Sequence, residues 1–395
     1  MFMQTLIRIA ILFVILLFDN LILSVPAECQ SLKIDLRKLP KKEAVRLSDL
    51  GAKDIQYIPL ETTKQNVLPE IKNIVFGKSF FLTHSSANIN MFRYNGQFVT
   101  KISREGRGPD EITVAHDVDI NPKDEMIYLV DGWLQKFLVY NRDGKLMRSF
   151  KSPLKIAIRF RITNDGLLCY NNNSLAKTIN SFILLDTLGK VIKNYPNTYK
   201  WQDKTKRTVG YLHENLFYRF NNQLFKKEMY SDTVFVYRNK AFEPHIIIDV
   251  GKLRITPEAR TNSSVTYIIH NFLTPRKLFE CGDYIYYEFS YQPDDENEGF
   301  SVIASKGNNF KIFFDPEKGL INDLDGGPNI IPQTVKDNNI LVTWIDAIDF
   351  KNHISSETFR KSKPLYPEKK KELEKLAASL KETDNPVLVQ VRLKH

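Results

Sequence analysis

Residues 115–150 read AHDVDINPKDEMIYLVDGWLQKFLVYNRDGKLMRSF, and this stretch decides the fold. It holds four short strand-like stretches, Ala115–Ile120, Met126–Val130, Lys136–Tyr140 and Leu146–Phe150, separated by Asn, Asp, Pro and Gly. Asn and Asp start turns and Gly takes a positive φ at no steric cost, so the stretch predicts four strands joined by hairpins. In the second run Ile127, Tyr128, Leu129 and Val130 are all apolar. A sheet wetted on one side alternates apolar with polar, whereas an unbroken apolar strand has sheets or helices on both faces.

The turn Tyr140-Asn141-Arg142-Asp143-Gly144-Lys145-Leu146 recurs along the chain. It returns as Tyr94-Asn95-Gly96-Gln97-Phe98, as Leu185-Asp186-Thr187-Leu188-Gly189-Lys190-Val191 and as Phe314-Asp315-Pro316-Glu317-Lys318-Gly319-Leu320. Gly96, Gly144 and Gly189 stand 48 and 45 residues apart, which matches the period of about 40–50 residues of a four-stranded propeller blade. The strand pattern places blade 1 at 71–103, blade 2 at 115–151, blade 3 at 157–195, blade 4 at 214–250 and blade 5 at 276–324. Blade 4 has Asn239-Lys240-Ala241 where the glycine turn is expected, and blade 5 carries an acidic hairpin at 294–298. Blade 6 begins near Ile330, with Ile340–Ile345 as its second strand. Two strand-like runs are left over, Asp54–Leu60 and Pro386–Leu393. A ring must close, and pairing these two removes the edges that invite aggregation. The expected fold is therefore an all-β, six-bladed β-propeller of four-stranded antiparallel blades, closed by its N- and C-terminal strands.

Composition agrees with that reading. The chain has 395 residues, 43% hydrophobic and 26% charged, and its 12% aromatic content favours strands. One short amphipathic helix is expected near the C-terminus, opened by Tyr366-Pro367, with Leu373, Leu376, Ala377 and Leu380 on one stripe and Lys369, Lys370, Lys371 and Lys375 opposite. Of the net charge of +10, half lies between Arg360 and Lys381, where eight basic residues face three acidic ones. A charge excess on one helix is a solvated face, and no nucleic-acid partner is expected.

The N-terminal 27 residues stand apart. Leu6–Val25 is almost all apolar, broken chiefly by Arg8, Asp19 and Asn20, and Val25-Pro26-Ala27 supplies small residues, so 1–27 reads as a secretory signal and 28–395 as the propeller. Cys29 occupies the place of a lipidated cysteine, but Glu28 spoils the motif before it; a lipid there is the one membrane link the sequence offers. The chain is expected to be exported to the periplasm or cell surface and to be a monomer. Cys169 and Cys281 lie in apolar strands, a blade apart, and read as buried free thiols.

Four further segments carry a resemblance. They are Ile58-Pro59-Leu60-Glu61-Thr62, Arg104-Glu105-Gly106-Arg107-Gly108-Pro109-Asp110-Glu111, Asn322-Asp323-Leu324-Asp325-Gly326-Gly327-Pro328 and Asp384-Asn385-Pro386-Val387-Leu388. In these the chain resembles the exported bacterial six-bladed β-propeller proteins of unknown function, distant relatives of NHL-repeat propellers. The resemblance implies architecture and export, and no chemistry.

No chemical motif fills that gap. Gly106-x-Gly108-Pro109 lacks the Lys-Ser/Thr of a phosphate loop and reads as a tight turn between blades. There is no HExxH and no Gly-x-Ser-x-Gly, and the seven histidines show no metal-ligand spacing, so no metal and no cofactor are expected. The longest blade connections, Pro196–His213 and Gly251–Pro275, share one face of the ring. The first holds Trp201 and Arg207 among other aromatics and cations, a set that suits a sugar ring or an anion; the plainer reading packs Trp201 on the rim. Arg104, Arg107, His116, Trp201 and Arg207 are the expected ligand-binding residues. The leading function is an exported binding or scaffold propeller with a glycan or peptide ligand; the alternative is a metal-dependent hydrolase or lyase working in the central channel.

Overall fold

The computed structural model describes residues 32–154, 157–174, 176–204, 211, 213–293, 298–307 and 310–394. The signal segment, Cys29, Arg207 and most of the acidic hairpin at 294–298 lie outside them.

Six antiparallel sheets form a propeller ring. From the channel outward, blade 1 runs Asn73–Phe76, Phe80–Ser85, Asn88–Arg93, Phe98–Lys101 and blade 2 runs Asp117–Ile120, Ile127–Asp131, Lys136–Tyr140, Leu146–Lys151. Blade 3 runs Ala157–Thr163, Gly166–Asn171, Asn180–Leu185, Val191–Pro196, and blade 4 runs Asn215–Phe220, Gln223–Glu228, Thr233–Arg238, Ala241–Asp249. Blade 5 runs Thr274–Cys281, Tyr284–Tyr291, Glu298–Ser305, Lys311–Phe314. Blade 6 takes Thr334–Lys336, Ile340–Ile345 and Val387–Arg392 from the C-terminal end, and its outermost strand is the N-terminal Asp54–Pro59, paired with Val387–Arg392. The two orphan strands of the sequence thus complete one blade.

The core is a set of layers between blades. Ile127 and Leu129 pack with Leu82 and Met91 of blade 1, while Tyr128 and Val130 pack with Phe160 and Cys169 of blade 3. The unbroken apolar strand of blade 2 is therefore covered on both faces. The repeat glycines seal the same joints from outside. A Cβ on Gly96 would stand 2.2 Å from the Pro59 carbonyl oxygen, and one on Gly144 2.7 Å from Thr100, in each case on the outermost strand of the preceding blade. Blade 4 meets the same need without glycine: Asn239 and Lys240 both adopt positive φ, and the Lys240 carbonyl accepts from Lys193 Nζ at 2.6 Å on blade 3.

Three features differ from the sequence reading. The turn Asp315–Gly319 follows the outermost strand of blade 5 and lies outside its hairpin, so blade 5 ends at Phe314. A fifth strand, Leu32–Asp35, lies on the outer edge of blade 4. The chain then passes Phe313 of blade 5 through Glu43 and Ile321 through Leu47 before entering blade 6. Helices are also more numerous. The blade 4–5 connection folds into α1 (Pro257–Asn262) and α2 (Val265–Asn271), and the insertion between the second and third strands of blade 6 holds α3 (Ala347–Ser355), α4 (Glu357–Lys361) and α5 (Lys370–Ser379), the last being the expected amphipathic helix.

Cys169 and Cys281 are buried free thiols. Four antiparallel strands return the chain to the side it started from, so all connections between blades, and the turn between second and third strands of each blade, share one face. Helices α1 to α5 all belong to this connection face.

Candidate functional site

The central channel is tied across by ion pairs. Inner strands are sheet edges, and their N–H groups need acceptors. Asp117 Oδ2 accepts from the Phe160 N–H at 3.0 Å and from Arg161 Nη1 at 2.7 Å; Asp119 Oδ2 accepts from the Ile162 N–H at 2.8 Å and from Arg219 Nη2 at 2.8 Å. Two aspartates of blade 2 thereby staple the inner edge of blade 3, and Arg219 reaches over from blade 4. Among the described residues no group of three or more His, Cys, Asp or Glu is placed to hold a metal ion.

The connection face offers a different kind of site. Two residue choices build it. Thr256 caps α1 by accepting from the Ala259 N–H at 3.1 Å, with Pro257 at the first helical position, and Ser264 caps α2 by accepting from the Tyr267 N–H at 3.1 Å. The caps turn the blade 4–5 connection into two short helices that stand beside the blade 3–4 connection. The Gln202 N–H donates to Thr261 Oγ1 at 3.0 Å and Lys204 Nζ to Asn262 Oδ1 at 2.9 Å, so the connections are joined.

Between them lies a cavity of about 600 Å³. Trp201, Gln202, Lys204, Tyr211, Arg260, Thr261, Ser263 and Thr266 are among its walls. The Arg260 guanidinium sits between two rings, 4.5 Å from the centroid of Trp201 and 4.4 Å from that of Tyr211. Such stacking holds a cation in place at low cost in freedom. Trp201 is itself fixed: its indole N–H donates to the Asn173 carbonyl at 2.8 Å and only 7% of the residue is exposed. Trp201 is thus packed against the blade and lines the cavity at the same time.

Under Arg260 lies Glu214, 1% exposed. Its Oε2 accepts from the Asn173 N–H at 2.9 Å and the Tyr170 hydroxyl at 3.2 Å, while Oε1 stands 4.0 Å from Arg260 Nη2. Burial outweighs these contacts and pushes its carboxyl up to about 7.

Tyr211 also lines a second cavity, of about 250 Å³, with Ile269, Thr274, Arg276, Ser290, Tyr291 and Gln292. Nearby, burial pushes the His213 imidazole down to about 4, helped by the positive charges of Arg159, Arg276 and Lys277.

Among the described residues expected from sequence, only Trp201 lies in these walls. Arg104 and Arg107 are exposed on the blade 1–2 connection, where Arg104 faces Asp110 at 3.9 Å. The turn they belong to is closed by Glu111, whose Oε2 accepts from the Gly108 N–H at 2.8 Å, and by Lys136, whose Nζ donates to the Gly108 carbonyl at 2.7 Å. His116 packs edge-on against Trp133, with Nδ1 accepting from the Gly132 N–H at 3.0 Å, and burial lowers its basicity. Arg207 lies outside the described residues. Sequence reasoning missed Glu214, Arg260 and Arg276, none of which stands in a motif.

A family profile described as a domain of unknown function (DUF4934) matches residues 31–392. The chain belongs to this family. No curated protein gives a significant match. Among solved structures, a candidate exported protein of Bacteroides fragilis is similar, with 16% identity and a TM-score of 0.68 over 92% of this chain and 99% of that one. A member of the DUF4221 family from Bacteroides vulgatus matches with 14% identity and a TM-score of 0.46 over 67% of this chain and 86% of that one. The first likeness shows a shared fold.

Proposed function

We propose that the chain is an exported, non-catalytic binding or scaffold propeller that takes a glycan or peptide ligand into the cavity between the blade 3–4 connection and helices α1 and α2. The observation that supports this reading is the Arg260 guanidinium held between Trp201 and Tyr211 in the wall of a cavity of about 600 Å³. A charged group immobilised before a ligand arrives loses little freedom on binding, and a volume of that size falls in the usual range for small-ligand sites. Loops and short helices carried on a rigid ring are also where recognition concentrates. Export is motivated by the apolar N-terminal segment that ends in Val25-Pro26-Ala27. A channel enzyme is less well supported, because Asp117 and Asp119 are engaged by Arg161 and Arg219.

The test is to fill the cavity from its exposed wall. Thr266→Trp places an indole there with no change to the helix cap at Ser264. On a glycan and peptide array the variant is expected to lose the parent's hits while keeping its melting temperature. Retention of every hit by a variant that melts like the parent would remove this cavity as the site.

A further inference from the structure

The two cavities adjoin at Tyr211, and their described walls are unequal in charge. Lys204, Arg260 and Arg276 face a single carboxylate, Asp203. Behind Arg276 stand Lys277 on the same strand and Arg159 on the inner strand of blade 3, both near His213. Lys277 is matched by Glu288 at 3.1 Å, and Arg159 lies 4.0 Å from Asp117, which already holds Arg161. Arg276 differs from these. It is partly buried on the innermost strand of blade 5, lines the smaller cavity, and makes no hydrogen bond or ion pair among the described residues. Buried or half-buried guanidinium groups are ordinarily paired, and a planar fork left open in a cavity matches a carboxylate with two parallel hydrogen bonds.

The remaining walls are rich in hydroxyls and amides at short spacing: Thr261, Ser263 and Thr266 in the larger cavity, Thr274, Ser290 and Gln292 in the smaller. Tyr211, with one ring face taken by Arg260, stands in both walls, and Tyr291 adds a ring to the smaller cavity. Closely spaced donors and acceptors beside flat apolar faces fit pyranose rings, which carry a hydroxyl on nearly every carbon and apolar C–H faces. A peptide would call for deeper apolar pockets at alternate positions and an exposed strand edge or groove.

Resting on the cavity reading above, we propose that the ligand is an acidic saccharide, a uronate-containing oligosaccharide whose carboxylate is held by Arg276 while neighbouring sugar units extend past Tyr211 into the larger cavity. Arg276 is the specificity residue of this site. Removing a charged partner of a hydrogen-bonded carboxylate should weaken binding by about 10- to 100-fold, and affinity should fall as salt rises.

The experiment is calorimetric titration of the purified protein. The acidic probes are trigalacturonate, an alginate trisaccharide and a hyaluronan tetrasaccharide; the comparison probes are galactotriose and triglutamate. At least one uronate is expected to bind, with galactotriose at least 10-fold weaker. Arg276→Gln should abolish that preference, and Arg276→Lys, which keeps the charge and loses the fork, should fall between. Both variants should melt like the parent, since Arg276 has no hydrogen-bond or ion-pair partner to lose among the described residues. Equal binding of galactotriose, undiminished uronate binding by Arg276→Gln, or no uronate binding at all would overturn the proposal. Triglutamate binding with the same dependence on Arg276 would assign the site to acidic peptides and overturn it too. Thr266→Trp separates the two levels. If a neutral sugar binds the parent and not Thr266→Trp, the cavity reading stands and the acidic ligand fails; if binding survives Thr266→Trp, the cavity itself is excluded.

Discussion

Replacing Glu214 by Gln should change how the stability of the propeller depends on pH. Glu214 is buried beneath Arg260, and burial raises its carboxyl from the ordinary 4.5 to about 7 in the folded chain. Below pH 4.5 the folded and unfolded chains both hold this proton, and the group contributes nothing to the pH dependence. Between 4.5 and 7 the unfolded chain releases the proton while the folded chain keeps it, so stability falls as pH rises. Above 7 both forms are ionised and the loss levels off. Each pH unit in that window costs about 1.4 kcal/mol, so the full loss is about 3 kcal/mol. The glutamine amide would keep an acceptor for the Asn173 N–H and the Tyr170 hydroxyl and would carry no charge to bury. Urea unfolding followed by tryptophan fluorescence, at pH 4.5 and pH 8, gives the four free energies needed. The variant should gain about 3 kcal/mol on the parent between the two pH values, and the subtraction cancels every other titrating group. A difference between variant and parent that is the same at both pH values would refute the argument, because it would mean that Glu214 ionises in the folded chain as freely as in the unfolded one.

Truncation before Asp384 removes the strand Val387–Arg392 and leaves Asp54–Pro59 and Ile340–Ile345 without their shared partner; the product should be insoluble or rapidly digested in limited proteolysis, and a truncated chain melting like the parent would contradict closure through blade 6. Gly96→Ala should cost about 2 kcal/mol or more in unfolding free energy, since the turn needs positive φ and the new Cβ meets the Pro59 carbonyl oxygen; Gly96→Asn, which tolerates the φ, should not recover the loss if the contact between blades is what matters.

The ring was readable because its rules are local and repeated. An apolar run such as Ile127–Val130 must be covered on both faces, and the Asn/Asp-to-Gly turns mark where each hairpin ends. The same locality explains the errors. Asp315–Gly319 has the chemistry of the hairpin turn and lies in a connection, because a turn sequence specifies a bend and not the strand that precedes it. The helices of the blade 4–5 connection were signalled by Thr256-Pro257-Glu258 and by Ser264, a capping grammar easily passed over when the helix behind it is only six or seven residues long. The site was legible in one respect: the two longest connections, which sequence singled out, are the ones that enclose the larger cavity. Its chemistry was not. Trp201 meets Arg260 across 59 positions, and Tyr211 joins Arg276 across 65, with all four strands of blade 4 and both helices between. No spacing rule spans such distances, because these contacts are set by how α1 and α2 settle against the neighbouring connection.

The four segments that carry the family resemblance explain why similarity speaks to architecture and stays silent on ligand. Three of them meet at the closing blade. Tyr57, one residue before the first segment, donates its hydroxyl to Asp325 Oδ1 at 3.1 Å and accepts from Asn322 Nδ2 at 3.0 Å, while the Gly327 N–H donates to the same aspartate oxygen at 2.9 Å. Asn385 accepts from the Leu68 N–H at 2.8 Å and donates to the Glu61 carbonyl at 2.9 Å, tying the last strand to the stretch that follows the first. The fourth segment closes on itself through Glu111 and Gly108. Each latch joins buried or part-buried polar groups, backbone N–H and C=O groups among them, and such groups must be satisfied whatever the propeller binds. Arg260 packs between Trp201 and Tyr211 in a blade connection, and Arg276 lines the smaller cavity; neither takes part in these latches. The proposed ligand is therefore tested at the cavity around Tyr211, whose described walls contain none of the latch residues.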